Sequence, residues 1–438
     1  MAIQPVAAEA AAPAFRPQKP SRPDEVGLST NRLADLLLKH LYFKSPMSGL
    51  EWAAAIHLPY VVLAAAVQNL IEQNLCQKLG RMASTATGQD FGEAMGYQLS
   101  EQGRARAREL LERDHYVGPA PVRFAAYETS IREQAVDIDV NRSRLTSALS
   151  HLVLGEDLLA ELGPPIASRA PMFLYGAPGN GKTSIAEACA GLLGDRIFIP
   201  YAVDVEGQTV RIFDPLHHRA AAEDPAADQR WVPVERPFVK VGGELTPAML
   251  GATFDPLLRF YEAPIHLKAN GGIFLLDDFG RQDASPRALL NRLIVSLERR
   301  VDFLNLASAG KTVAVPFEAM VVFSTNLDPA SLVDEAFLRR VRYKVFVPDP
   351  TEPEFRRIFE RACLELAVPF DEKGYGDLLD RYYKKIKRPL RGCQPHDLLQ
   401  ALTEHALFQE RPPRLEPDLI DMACDSYFVR LNPLARIQ

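Results

Sequence analysis

The sequence predicts an α/β protein, with a parallel-sheet core flanked by helical segments at both ends. Three observations carry that reading. Between about Met172 and Pro348, short apolar runs rich in β-formers ("MFLY", "RIFIPYAV", "IFLLDD", "MVVFST", "YKVFV") alternate with helical patterns. A glycine-rich turn joins the first of these runs directly to a helix. From Glu352 onward the pattern is helical, broken only by "PF", "RPLRGCQP" and "ERPPRLEP".

The bulk properties bound the function. A chain of 438 residues has room for two or three domains, and 47% hydrophobic with 24% charged residues is the composition of a globular protein. A formal net charge of −6 argues against a general polyanion binder. Cys76, Cys189, Cys363, Cys393 and Cys424 form no CxxC pair, so neither a disulfide framework nor a zinc site is expected. No apolar run approaches the roughly 18 residues of a membrane span. "VVLAAAV", Val61 to Val67, reads as a buried helix. The N-terminus lacks the layout of a signal peptide, and the cytoplasm is the expected location.

Residues 1–23, rich in Ala and Pro, read as a disordered tail. Residues 24–118 form a unit. "NRLADLLLKHLYF" is an amphipathic helix capped by Thr30 or Asn31, and "SGLEWAAAIHL" is a second helix. A third runs from Pro59 to Gly80, and "GYQLSEQGRARARELLERD" is a strand followed by a charged helix. This order resembles a winged helix-turn-helix domain. Residues 119–144 are expected to be a linker, 145–350 the α/β core, and 351–438 a helical lid.

Within the core, "GAPGNGKTS" contains GxxxxGK[ST] as Gly176, Gly181, Lys182 and Thr183, with Ala177, Pro178, Gly179, Asn180 and Ser184 completing the loop. Its place between a strand and a helix is what phosphate binding requires. Glycines let backbone N–H groups close around phosphate oxygens, and the helix N-terminus adds a positive dipole end. Lys182 would reach the β- and γ-phosphates of ATP, and Thr183 would ligate Mg²⁺. Such a site also needs a carboxylate at the end of a neighbouring strand. "IFLLDD" supplies Asp277 for the metal side, and Asp278 falls where a water-activating base is expected.

"GAPGNGKTS", "IFLLDD", "VVFSTN" and "DEAFLRRVRYKVFVP" follow one another with spacing that resembles the AAA+ ATPases, over roughly Leu145 to Phe428. The resemblance implies a P-loop NTPase core of three layers, a helical lid and a ring of subunits, most often six. It implies that Asn326 is the sensor 1 residue, orienting the attacking water. It implies that Arg340, with Arg339 the close alternative, is an arginine finger offered to a neighbour's γ-phosphate. The lid departs from the family pattern: in "GCQPHDLL", His396 falls where a sensor 2 arginine is common, and Arg391 is the alternative phosphate contact. Asp278 also stands where most relatives carry Glu.

Two inserts resemble those of magnesium-chelatase-like, MoxR-like and sigma-factor-activating ATPases. One is "VGGELTPAMLGATFDPLLRFYEAPIHLKANGG", which in those groups interrupts a helix and points toward the ring axis. The other, "RRVDFLNLASAGKTVAVPFEA", reads as a β-hairpin. The whole resembles bacterial AAA ATPases with an N-terminal helical module and chaperone-like activity. That implies a protein client, in some cases a component of pilus or secretion assembly.

DNA is the competing partner, through a transcription regulator gated by the ATPase. Residues 24–118 carry nine basic and eleven acidic side chains, a balance of −2. The third helix lacks the Arg, Lys, Asn and Gln set that base readout uses. A protein client is therefore the expected partner. A third reading is an ATP-binding switch with very slow hydrolysis, suggested by Asp278 and His396.

Overall fold

The computed structural model describes residues 15–81, 95–135, 140–194, 196–306 and 310–428. Two compact units are interleaved along the chain. The first comprises Met1–Ile138, Leu193–Phe274 and Asp283–Met320; the second comprises Asp139–Leu192, Leu275–Gln282 and Val321–Gln438. The segments expected from the sequence are thus cut and regrouped.

The first unit opens with helices Thr30–Phe43, Gly49–Ile56, Tyr60–Glu72 and Glu101–Arg113. Strands Met47–Ser48, Cys76–Arg81 and Met95–Leu99 form an antiparallel sheet with Met95–Leu99 in the middle. The first helix is capped by Ser29, one residue before the expected Thr30, because the Ser29 hydroxyl accepts the Arg32 N–H. Ser48 and Glu51 form a reciprocal capping box on the second. Their apolar faces meet in one core with Leu37, Leu38, Trp52, Ile56, Leu63 and Tyr97 fully buried. Trp52 stacks on Tyr97 at 4.8 Å. Truncating a ring buried like this costs about 3–5 kcal/mol. The Gly-containing stretch 82–94 lies outside the described residues.

Two expectations change here. Residues 1–14 of the expected tail lie outside the described residues, but those just after are held: Arg16 donates to Asp224 at 2.7 and 2.8 Å, and the Pro17 carbonyl accepts the Asp228 N–H at 3.0 Å. The expected linker is also structural. Val122 and Arg123 pair in parallel with Val203 and Asp204, and the helix Phe124–Gln134 that follows buries Tyr127 and Ile131.

Strand Val122–Arg123 is the edge of a five-stranded mixed sheet whose order continues through Ala202–Val205, Gln208–Arg211, Tyr261–Glu262 and Thr253–Phe254. The last two belong to the first insert. That insert is not a free projection, since its Leu258 carbonyl accepts the His115 N–H at 2.9 Å and Phe260 packs edge-on against Tyr116 at 5.6 Å. The second insert is a β-hairpin, Val301–Leu306 with Lys311–Pro316, in regular register from Val301↔Pro316 to Leu306↔Lys311. Its tip, 307–309, lies outside the described residues.

The hairpin is rooted by a buried ionic cluster. Asp302, 1% exposed, accepts from Arg292 at 2.6 and 3.0 Å and from His266 Nε2 at 2.6 Å. Arg292 also donates to the Leu250 carbonyl at 2.6 Å. Burial alone would raise the Asp302 pKa, but the hydrogen bonds from His266 and Arg292 prevail and hold it below the usual carboxylate range. Burial lowers the pKa of His266 against the opposing pull of Asp302.

In the second unit, strand Met172–Tyr175 pairs in parallel with Met320–Thr325 on one side and Tyr343–Phe346 on the other. The end of Ile273–Leu276 lies beyond Met320–Thr325. Met172–Leu174 and Val321–Thr325 are buried, as expected of parallel strands covered on both faces. Helices Glu352–Glu365, Glu372–Leu379, Gln394–Phe408 and Pro417–Tyr427 enclose their own core around Phe355, Phe359, Leu398, Leu402 and Leu419. Among the described residues, no single helix is long and apolar enough to cross a membrane.

Candidate nucleotide site

The glycine-rich turn leaves strand Met172–Tyr175 at Gly176 and enters helix Lys182–Ala190. Gly176 has φ 146°, and a Cβ there would sit 2.3 Å from the Val347 carbonyl oxygen, so only glycine fits. Gly181, φ 78°, occupies the N-cap of the helix. The turn therefore leaves the first N–H groups of the helix free of side-chain caps.

Lys182 is buried, and its ammonium donates to the carbonyls of Gly176 at 3.0 Å and Ala177 at 2.9 Å and to Asn326 Oδ1 at 2.6 Å. Burial lowers its pKa, while Asp277 and Asp278 pull it back up. The Thr183 hydroxyl donates to Asp277 Oδ2 at 2.9 Å. Asn326 Nδ2 donates to Asp278 Oδ1 at 3.0 Å, and the Asp278 N–H donates to Asp277 Oδ1 at 3.1 Å. One hydrogen-bonded chain thus runs Thr183, Asp277, Asp278, Asn326, Lys182.

The two aspartates are held differently. Asp277 ends its strand half-buried, whereas Asp278 is exposed and has φ 48°, the left-handed region that Asp tolerates better than most residues. Gln282 pins this turn: its Nε2 donates to the Asp277 carbonyl at 3.1 Å and its Oε1 accepts the Gly280 N–H at 2.9 Å. The turn swings the second carboxylate out toward Asn326.

These groups face a cavity of about 800 Å³ in the second unit, within the range that holds a nucleotide-sized ligand. Pro178, Gly179, Asn180, Gly181, Lys182, Thr183, Ser184, Asp277, Asp278, Asn326 and His396 all line it. Gly176 and Ala177 contribute through the carbonyls that hold Lys182. Arg391 is absent from this lining and forms an ion pair with Asp349. Arg339 and Arg340 are exposed and also outside the lining; Arg340 donates to the Ala336 carbonyl at 3.1 Å.

The cavity wall also includes residues that carried no signal in the sequence. His151 to Leu154 form one side, and Ile358, Arg361, Ala362 and Glu365 of a lid helix form another. They come from scattered positions rather than a spaced motif, so no local pattern marks them. Cys393 and Arg281 also reach the cavity. For a divalent ion, the fit is good: the Thr183 hydroxyl and the Asp277 carboxylate are adjacent hard oxygen donors of the kind Mg²⁺ takes.

Residues 351–426 match a family model described as a domain of unknown function, DUF8689. No curated protein matches the chain. Among solved structures, NtrX from Brucella abortus is similar at 13% identity and a TM-score of 0.39, over 73% of this chain and 59% of that one. NtrX in complex with ATP is similar at 14% identity and a TM-score of 0.39, over 67% and 59%. A point mutant of RuvB from Thermotoga maritima is similar at 12% identity and a TM-score of 0.36, over 68% and 72%. The chain thus spans about three-fifths of the length of the NtrX chains it resembles.

Proposed function

We propose that this protein is an Mg²⁺-dependent ATPase of the AAA+ type that acts as a ring to remodel or assemble a protein partner. The observation that carries the ATPase reading is the chain of contacts from Thr183 through Asp277, Asp278 and Asn326 to Lys182, lying along one nucleotide-sized cavity. Each member has a distinct job in this reading. The N–H groups of Gly179 to Thr183 cradle the phosphates. The Lys182 ammonium exchanges its present carbonyl partners for phosphate oxygens. Thr183 and Asp277 hold Mg²⁺, which when bound neutralises phosphate charge. Asp278 takes a proton from the attacking water, and Asn326, already bonded to Asp278, orients that water.

Arg340, or Arg339 beside it, completes a neighbouring subunit's site in this proposal. Both are exposed. Mixing tests it: Asp278→Asn and Arg340→Ala subunits, each inactive alone, should regain activity together, because some interfaces then combine an intact base with an intact finger. No recovery, with either arginine replaced, would remove the shared-site proposal. The N-terminal module and its attached insert are the proposed client-binding part, with an acidic balance that favours protein over DNA. Retention of the full-length protein on DNA in a salt-dependent manner would contradict that choice.

A further inference from the structure

We propose that Asn180 is a positioning residue through which nucleotide at the glycine-rich turn sets the orientation of the lid. The inference rests on the ATP-site reading and adds a route by which that site acts on the lid. The turn has two sides. Pro178 to Ser184 line the cavity, while the Gly179 carbonyl and the Asn180 side chain are bonded to the lid and to the segment leading into it.

Asn180 is only 8% exposed, and both ends of its amide are engaged. Its Nδ2 donates to Asp349 Oδ1 at 2.8 Å and to the Pro348 carbonyl at 3.2 Å. Its Oδ1 accepts the Gly392 N–H at 3.1 Å. Next to it, the Gly179 carbonyl accepts the Cys393 N–H at 2.7 Å. The approach is close: a Cβ on Gly179 would lie 2.5 Å from Cys393 Sγ. Asp349 is also the partner of Arg391. Arg391, the alternative phosphate contact, thus belongs to the same cluster.

Gly392 and Cys393 immediately precede helix Gln394–Phe408, which carries His396 into the cavity wall. A peptide cannot turn its N–H toward a phosphate without moving its carbonyl as well. Reorientation of the Gly179–Asn180 peptide on binding phosphate therefore alters the Gly179–Cys393 contact, and a shift of the Asn180 backbone carries its side-chain bond to Gly392 with it. This gives a lid that follows nucleotide through the turn itself, in addition to whatever Arg361 and His396 contact in the cavity.

The test uses the full-length protein with Asn180→Asp and Asn180→Asp/Asp349→Asn. The single change places two carboxylates where an amide met one. The double change restores a donor and an acceptor in exchanged positions. Three quantities are read: the Kd of a fluorescent ATP analogue, kcat for phosphate release, and amide exchange over residues 388–398 with and without ADP. Asn180→Asp should lower kcat about tenfold, while its loss of Kd stays well short of that of Lys182→Ala. It should speed exchange at Gly392 and Cys393 and abolish the response of 388–398 to ADP. The double variant should recover both.

Unchanged exchange in Asn180→Asp would overturn the proposal. So would a Kd loss as large as that of Lys182→Ala, which would make Asn180 a phosphate-site residue and not a lid-positioning one. If the unaltered protein bound no nucleotide, the ATP reading itself would fall. Exchange at Gly392 and Cys393 without nucleotide would still decide whether Asn180 holds the lid.

Discussion

Two aspartate clusters in this molecule use similar residue types to opposite ends. In the first unit, Asp302 is buried and shared by Arg292 and His266, with both oxygens engaged at 2.6 Å. In the second, Asp277 and Asp278 meet Thr183 and Asn326 beside a cavity of about 800 Å³, and Asp278 is exposed. Asp302 is buried with both carboxylate oxygens already engaged, so its charge serves to anchor the hairpin. The partners of the second cluster are hydroxyl and amide groups that a phosphate, a metal ion or a water can displace. Access and exchangeable partners are what separate the proposed reactive pair of acids from the structural one.

The largest effect that would sharpen this contrast is on stability. Asp302→Ala leaves the part-buried Arg292 uncompensated and should cost about 3–5 kcal/mol, measured by denaturant unfolding. A loss below about 1 kcal/mol would mean that the cluster does not anchor the hairpin. Asp278→Asn should do the reverse: ATP turnover falls by about 100-fold or more, while the unfolding midpoint barely moves. Asp278→Glu comes next. The extra methylene changes reach, so turnover should shift severalfold with little change in Kd for ATP, and a null result would show that the short side chain is not limiting.

The smallest effect is on pH dependence. His218 is buried, with Nδ1 accepting the Asp214 N–H at 2.9 Å and Nε2 donating to the Lys268 carbonyl at 2.7 Å. Burial lowers its pKa to about 4 from the ordinary 6.5. Below the ordinary value, the unfolded chain binds the proton that the folded one refuses. The His218 contribution is therefore complete above about pH 6.5 and is lost as pH falls toward about 4. Stability measured across that window should decline more gently in His218→Gln than in the unaltered protein.

The second unit was far more legible in the sequence than the first. Gly176 to Ser184, Asp277 and Asn326 stand at the ends of strands and in turns with the spacing expected for phosphate binding; Pro178 to Ser184, Asp277 and Asn326 line one cavity, and the Gly176 and Ala177 carbonyls hold Lys182. The turn at Asp278 is local, but its positive φ is not written in "LLDDFG". Arg391, the alternative phosphate contact, pairs with Asp349, 42 residues earlier, a partner that no local pattern marks. The first unit depends on pairings between distant segments. Val122 meeting Val203, Arg16 meeting Asp224, and His266 meeting Asp302 leave no periodic trace in the chain. The first insert's contact with His115 is likewise made across more than a hundred residues.

The most direct test of the account is phosphate release from ATP by the purified full-length protein, with and without Mg²⁺, beside Lys182→Ala. Mg²⁺-dependent turnover is expected, falling by about 100-fold or more when Lys182 is replaced. Release by the unaltered protein that is indistinguishable from that of Lys182→Ala would contradict it.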